Sequence, residues 1–294
     1  LKVCHFFSCS ITLKRVKKLE MKKILVPTDF SSQAENALKV AVEIATKHNS
    51  EIYLLHSLDM PSQIRGVQNN ASMPESLYFI KLAEKSFEAL LKKDYLGPIE
   101  IHEAIGHDQI YSDINRTVEE KDIDLIVMGS HGANGFKELF IGSNTEKVVR
   151  TANIPVLVIK NEHTDFNIKD FVFATDFGEE SRWSFTQAQK FAKAMDAKMH
   201  LLYVNTPAGF KTTEQANKLM QDFIKDSKQE NHTINIHNAY SVEDGILQFA
   251  KMKGAKLIGT STHGRRGLSH FFNGSISEDL VNHANMPVIT FRIQ

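Results

Sequence analysis

The most distinctive chemistry in this chain is a glycine loop: Gly129, Ser130, His131 and Gly132, then nine residues, then Gly142 and Ser143. Glycines at that spacing let main chain run close to a ligand and turn its N–H groups outward, and a helix opening at Ser143 aims its positive end at the same place. The chemistry implied is the cradling of a phosphate or another anion, with Asn144 as a further donor. Ser143 and Glu146 also form S-x-x-E, a capping box, and the two roles can alternate on one hydroxyl. Upstream, Pro27, Thr28 and Asp29 end an apolar run. The carboxylate there can meet a polar ligand or help start a helix at Ser31 and Ser32.

Both features recur. Residues 24–57 match residues 171–204 without a gap at a constant offset of 147, pairing Asp29 with Asp176 and His56 with Tyr203. Residues from Gly129 match residues from Ser261 at an offset of 132, pairing His131 with His263 and Pro155 with Pro287. The second copy is therefore 15 residues shorter, and the missing part falls within Asp59 to Phe79 of the first. That longer segment is expected to close over the first site.

The copies differ where the ligand would lie. Ser261 replaces Gly129, although Gly264, Gly274 and Ser275 keep the spacing. Gly106 precedes the third helix of copy one, whereas Asn238 to Glu243 contains no glycine before Gly245. The second copy thus carries side chains at both positions where the first has glycine. Arg265 and Arg266, beside Gly264, offer two guanidinium groups to an anion or to solvent. Anion binding is expected mainly in copy one.

Other chemistries lack their patterns. No G-x-x-x-x-G-K-[S/T], no G-x-G-x-x-G after a strand and no G-x-S-x-G elbow occurs. His131 and His263 are read as partners of loop backbone, since no H-x-x-x-H and no paired cysteines accompany them. No catalytic group or metal ligand is assigned, and any hydrolysis of a bound ligand is expected to be slow.

The elements that must position these residues follow from hydrophobic periodicity. Lys23 to Pro27, Ile52 to His56, Ile99 to Ala104, Leu125 to Met128 and Val156 to Ile159 read as strands. Helices are expected after Ser32, over Leu77 to Leu91 and Ile110 to Glu120, and from Glu146 to Ala152. Strands alternating with helices imply a parallel, doubly wound sheet of five strands per copy, covered by helices on both faces. The expected division is 21–160 for the first domain, 161–167 for a polar linker and 168–294 for the second.

The chain of 294 residues has 42% hydrophobic and 24% charged residues, enough to bury two full cores. With 35 basic and 35 acidic residues it carries no global field toward nucleic acid or an anionic membrane, and neither is an expected partner. Both cysteines, Cys4 and Cys9, fall in the first ten residues, which fits a reducing cytoplasm and leaves no disulfide framework. Residues 1–20 make a poor signal peptide, and because Met21 opens a coherent strand they are read as a non-native stretch or an extension.

The pattern G-x2-G-x9-G-[S/T], together with the Pro-Thr-Asp-Phe strand ending, resembles the ATP-binding branch of the universal stress protein family, in tandem form. The resemblance extends from Met21 to Gln294. It implies Rossmann-like domains of the adenine nucleotide alpha-hydrolase type and, as cofactor, ATP or another adenine nucleotide with or without Mg2+. The implied contact set is Pro27, Thr28, Asp29, Ser57, Gly129, His131, Gly132, Gly142, Ser143 and Asn144, with Asp29 beside the adenosine and Ser57 giving main chain near the adenine. A weaker second set is Thr175, Asp176, Val204, His263, Gly264, Arg265, Gly274 and Ser275. The family pairs its domains through their last strands, so Val156 to Ile159 and Val288 to Phe291 should pair antiparallel within this chain; a homodimer of the whole chain stays open. The competing reading is a scaffold or ligand carrier of the same fold that binds no nucleotide.

Overall fold

The computed structural model describes residues 21–58, 73–131, 142–163, 165–225, 227, 231–262 and 275–293. In the first copy β1 (Lys23–Pro27), α1 (Ser32–His48), β2 (Glu51–Ser57), α2 (Met73–Leu91), β3 (Ile101–Gly106), α3 (Ile110–Lys121), β4 (Leu125–Gly129), α4 (Ser143–Thr151) and β5 (Val156–Ile159) follow in order. In the second come β6 (Asp170–Ala174), α5 (Arg182–Met195), β7 (Lys198–Asn205), α6 (Thr213–Ile224), β8 (His232–Asn238), α7 (Val242–Lys253), β9 (Leu257–Thr262), α8 (Ser275–His283) and β10 (Val288–Arg292).

The strands form one ten-stranded sheet in the order β3-β2-β1-β4-β5-β10-β9-β6-β7-β8. All neighbours are parallel except β5 and β10, which pair antiparallel with Val288 opposite Val158 and Thr290 opposite Val156. The two five-stranded halves thus meet at the expected seam, related by a pseudo-twofold axis.

Alternation along each strand sends side chains to two cores, one on each face of the sheet. Val26, Leu157, Phe171 and Ile289 belong to one core, and Leu25, Val158, Val172 and Val288 to the other. Each core runs through both domains, so the halves are not independent hydrophobic units. Phe171, Phe173, Phe191 and Phe291 meet edge to face or tilted at 5.9–6.3 Å between centroids. Truncating any one of these rings to alanine should cost about 3–5 kcal/mol.

Helix ends explain the boundaries. Ser31 caps α1 by accepting from the Ala34 amide at 3.2 Å, and Asn49 stops it in the left-handed region. Helix α2 begins four residues before the expected Leu77. The segment expected to be a bare linker carries no regular structure but is packed: Phe166 is buried and its amide donates to Glu43 at 2.6 Å, while Glu162 pairs with Lys39 on α1.

Two cations stitch the seam reciprocally. The Lys160 ammonium, just past β5, donates to the Asn282 carbonyl in the last turn of α8. Its counterpart Arg292, at the end of β10, donates to the Thr151 carbonyl at the end of α4 at 3.0 Å and to the Asn153 side chain. Each domain therefore supplies a positive charge to the carbonyl end of the other's last helix, where the helix dipole favours it.

Candidate functional site

Reversal of strand order between β1 and β4 opens a crevice at the carboxyl ends of the strands, the place where doubly wound sheets bind ligands. A cleft of about 940 Å3 occupies it. Pro27, Thr28, Asp29, Ser57, Gly129, His131, Gly142, Ser143 and Asn144 line this cleft, so the sequence brings nearly the whole first candidate set to one place. Gly132 lies outside the described residues, as do residues 59–72 of the segment expected to close over the site.

The turn after β1 is fixed locally. Thr28 is buried, and its hydroxyl accepts from the Phe30 amide at 3.0 Å. Phe30 takes a φ of 61°, and its ring lies 4.7 Å from His56 and 5.1 Å from Phe87. The His56 Nδ1 is 2.8 Å from the Thr28 carbonyl, tying this turn to β2. Asp29 stands exposed at the mouth, with one carboxylate oxygen accepting from the Ser31 amide at 3.1 Å.

On the other side of the cleft the chain returns to the tip of β4. The Gly142 amide donates to the Ser130 carbonyl at 2.8 Å and the Thr145 hydroxyl to the Gly129 carbonyl at 2.9 Å. Gly142, not Ser143, is the N-cap of α4, and with no side chain it caps nothing. The capping-box reading of Ser143 is thereby corrected: Ser143 is the first helical residue, and Glu146 lies 3.7 Å from Arg150. Exposed Ser143 and Asn144 are left at a helix start that faces the cleft. His131 holds the Ser130 hydroxyl at 2.9 Å through Nδ1, and burial, then the Lys160 charge, draws its pKa below the ordinary histidine value.

Two glycines have reasons other than a ligand. A Cβ on Gly129 would stand 2.9 Å from the Gln33 carbonyl, so this glycine admits the first turn of α1. A Cβ on Gly106 would stand 2.1 Å from the Asp113 carboxylate, which is fully buried. Asp113 accepts from the Asp108 amide at 3.1 Å and pairs with Arg116, which also reaches Asp108 at 2.9 Å. The loop carrying Asp108 and Gln109 into the cleft wall is held by this cluster. The expectation that Gly106 brings backbone to a ligand is corrected accordingly.

The wall also contains residues that motif reasoning missed: His56, Phe79, Leu82, Tyr111 and Lys147. They belong to no motif, and only the fold brings them together. Lys147 stands over the Tyr111 ring at 5.7 Å. Among the described residues no group of three or more histidine, cysteine or carboxylate side chains is placed to hold a metal, and no helix is long and apolar enough to cross a membrane.

In the second copy a depression at the tips of β6 and β7, lined by Thr175, Asp176, Tyr203, Val204 and Val242 among others, encloses about 20 Å3. Asp176 folds back on its own chain, accepting from the Gly178 amide at 2.9 Å and the Ser181 hydroxyl at 2.7 Å. Tyr203 stands where copy one has His56, and burial, followed by the Asp176 charge, raises its pKa. Val204 replaces Ser57 and packs over Gly245, where a Cβ would come within 2.5 Å of it. Ser261 holds the Ser184 hydroxyl at 2.7 Å, and the turn Glu179–Ser181 is 3-10 rather than α-helical. The extra Cβ on Ser261 thus coincides with a 3-10 turn in place of the first α-helical turn after β6. His263, Gly264, Arg265 and Gly274 lie outside the described residues, and Ser275 opens α8.

Comparison with known proteins adds a family. The model described as "Universal stress protein family" matches residues 20–160 and again 167–292. Two universal stress proteins of Methanocaldococcus jannaschii are similar in sequence. One is 32% identical over 158 residues, covering 49% of this chain and 97% of the relative. The other is 34% identical over 142 residues, covering 47% and 82%. A universal stress protein from Archaeoglobus fulgidus shares the whole fold, with a TM-score of 0.67 at 21% identity over 94% of this chain and 97% of that one.

Proposed function

Because the chain belongs to the universal stress protein family, in tandem form, we propose that it is a cytoplasmic stress-response protein that binds ATP or a related adenine nucleotide in its first domain, residues 21–160, and not in the second, residues 168–294. The observation that carries this reading is the contrast between a cleft of about 940 Å3 at the first strand-order reversal and one of about 20 Å3 at the tips of β6 and β7 in the second copy. Only the first is of the size that holds a drug-sized ligand, for which pockets run to roughly 300–1,000 Å3.

The residues present suit the ligand. Asp29 offers a carboxylate to ribose hydroxyls, and Phe30 and Leu82 supply apolar surface for a base. The start of α4 at Ser143 and Asn144, which has no side-chain cap, receives phosphates on main-chain amides. Among the described residues the histidine at that end, His131, is engaged by the Ser130 hydroxyl, and binding rather than turnover is the assigned role. Nucleotide occupancy then alters domain contacts, since α4 carries the phosphate end at its start and the Arg292 contact at its finish.

Denaturing the purified protein and analysing the released small molecules should reveal an adenine nucleotide, and calorimetric titration with ATP should give heat. Neither nucleotide nor heat would leave the scaffold reading standing.

A further inference from the structure

An adenine-nucleotide site in the first domain leaves open how many phosphates it selects. Resting on that reading, we infer that Lys147 is the specificity-determining residue that makes the cleft favour the triphosphate over the monophosphate and the nucleoside.

Lys147 is the fifth residue of α4, one turn beyond Ser143. Helical side chains lean back toward the N-terminus, so its stem runs over the turn that presents Ser143 and Asn144. Among the described residues lining the cleft it is the one lysine or arginine. The other titratable groups there are Asp29, Asp108, His56, His131 and Tyr111, and Asp108 is paired with Arg116.

Charge therefore orients the ligand. Phosphates placed near Asp29 would meet a carboxylate, whereas at the α4 end they meet amides and one ammonium. The Tyr111 ring, 5.7 Å away, holds that ammonium over its face without using its three N–H donors. A contact of this kind at an exposed site is worth roughly 0.5–1 kcal/mol, less than the roughly 1.5–3 kcal/mol of a hydrogen bond to a charged group, so phosphate can recruit the ammonium from the ring. Each added phosphate brings more negative charge to a site whose cationic side chain is Lys147. The second copy has Asp279 at the matching position, reversing the sign.

The test is calorimetric titration of the full chain with adenosine, AMP, ADP and ATP, for the unmodified protein and for Lys147→Ala, Lys147→Asp and Lys147→Arg. Lys147 is exposed, so these variants should fold, and unchanged adenosine affinity reports an intact cleft. Lys147→Ala should weaken ATP about tenfold, equivalent to about 1.4 kcal/mol, with a smaller loss for AMP and none for adenosine. Lys147→Asp should deepen the ATP loss and Lys147→Arg should largely preserve affinity. If the unmodified chain binds nucleotides but Lys147→Ala weakens all four equally or none, the assignment of Lys147 is overturned. If the unmodified chain binds none of the four, the reading of the cleft falls, and this inference with it.

Discussion

The two domains share a fold, a strand order and a turn after the first strand, yet they differ in what that turn holds open. In the first, Phe30 packs against His56 and Phe87, and Asp29 is left at the mouth of a cleft. In the second, Phe177 packs against Tyr203 and Phe223, and Asp176, which like Asp29 accepts from the amide two residues on, also accepts from the Ser181 hydroxyl. The exchange of Ser57 for Val204 and of Asp113 for Gly245 follows the same direction: polar groups give way to apolar filling. A duplicated fold can thus keep its core and its seam while the side chains at the ends of its first two strands change.

The largest effect that should separate the domains comes from a carboxylate at the α4 N-cap. Gly142→Glu places negative charge at the anion end and should lower nucleotide affinity on the order of a hundredfold, whereas Gly274→Glu should change it little; titration of both variants checks this. Gly129→Ser installs the second-copy residue in the first. Its Cβ meets the Gln33 carbonyl, so the first turn of α1 must open, at a cost of about 1–3 kcal/mol read by chemical denaturation.

A smaller effect tests the seam. Arg292→Ala removes the bond to the Thr151 carbonyl and should destabilise the first domain by about 1 kcal/mol, although the residue belongs to the second. A pH effect tests Lys160, whose pKa burial lowers from 10.5 to about 8. Between those values the unfolded chain holds the proton that the folded chain has released, so this lysine's contribution to stability rises with pH from about 8 to 10.5. Below pH 8 the burial penalty is present in full. Stability curves of the unmodified chain and Lys160→Met should diverge only within that window.

Much of this was legible in the sequence. Apolar runs such as Lys23 to Pro27 and the ungapped match at an offset of 147 are local or periodic signals, and they place the strands and the duplication, whereas the pairing of the last strands was implied by the family resemblance. Pattern also collected Asp29, Gly142 and Ser143, because the loop geometry is written in glycine spacing. What escaped depends on contacts between distant elements. Lys147 reads as an ordinary solvent-facing helix lysine until Tyr111, 36 residues earlier, is seen beneath it. Gly106 was read as a ligand glycine because the buried Asp113 that needs its space sits on the next helix. Ser143 satisfied a capping motif whose place Gly142 takes, and the polar segment 161–167 hid the buried Phe166.

The central claim is one nucleotide site per chain, in the first domain. Calorimetric titration of the full chain with ATP measures the stoichiometry directly: the account requires one ATP per chain, lost in Gly142→Glu and retained in Gly274→Glu. Two ATP per chain, or one that survives Gly142→Glu and disappears in Gly274→Glu, would contradict it.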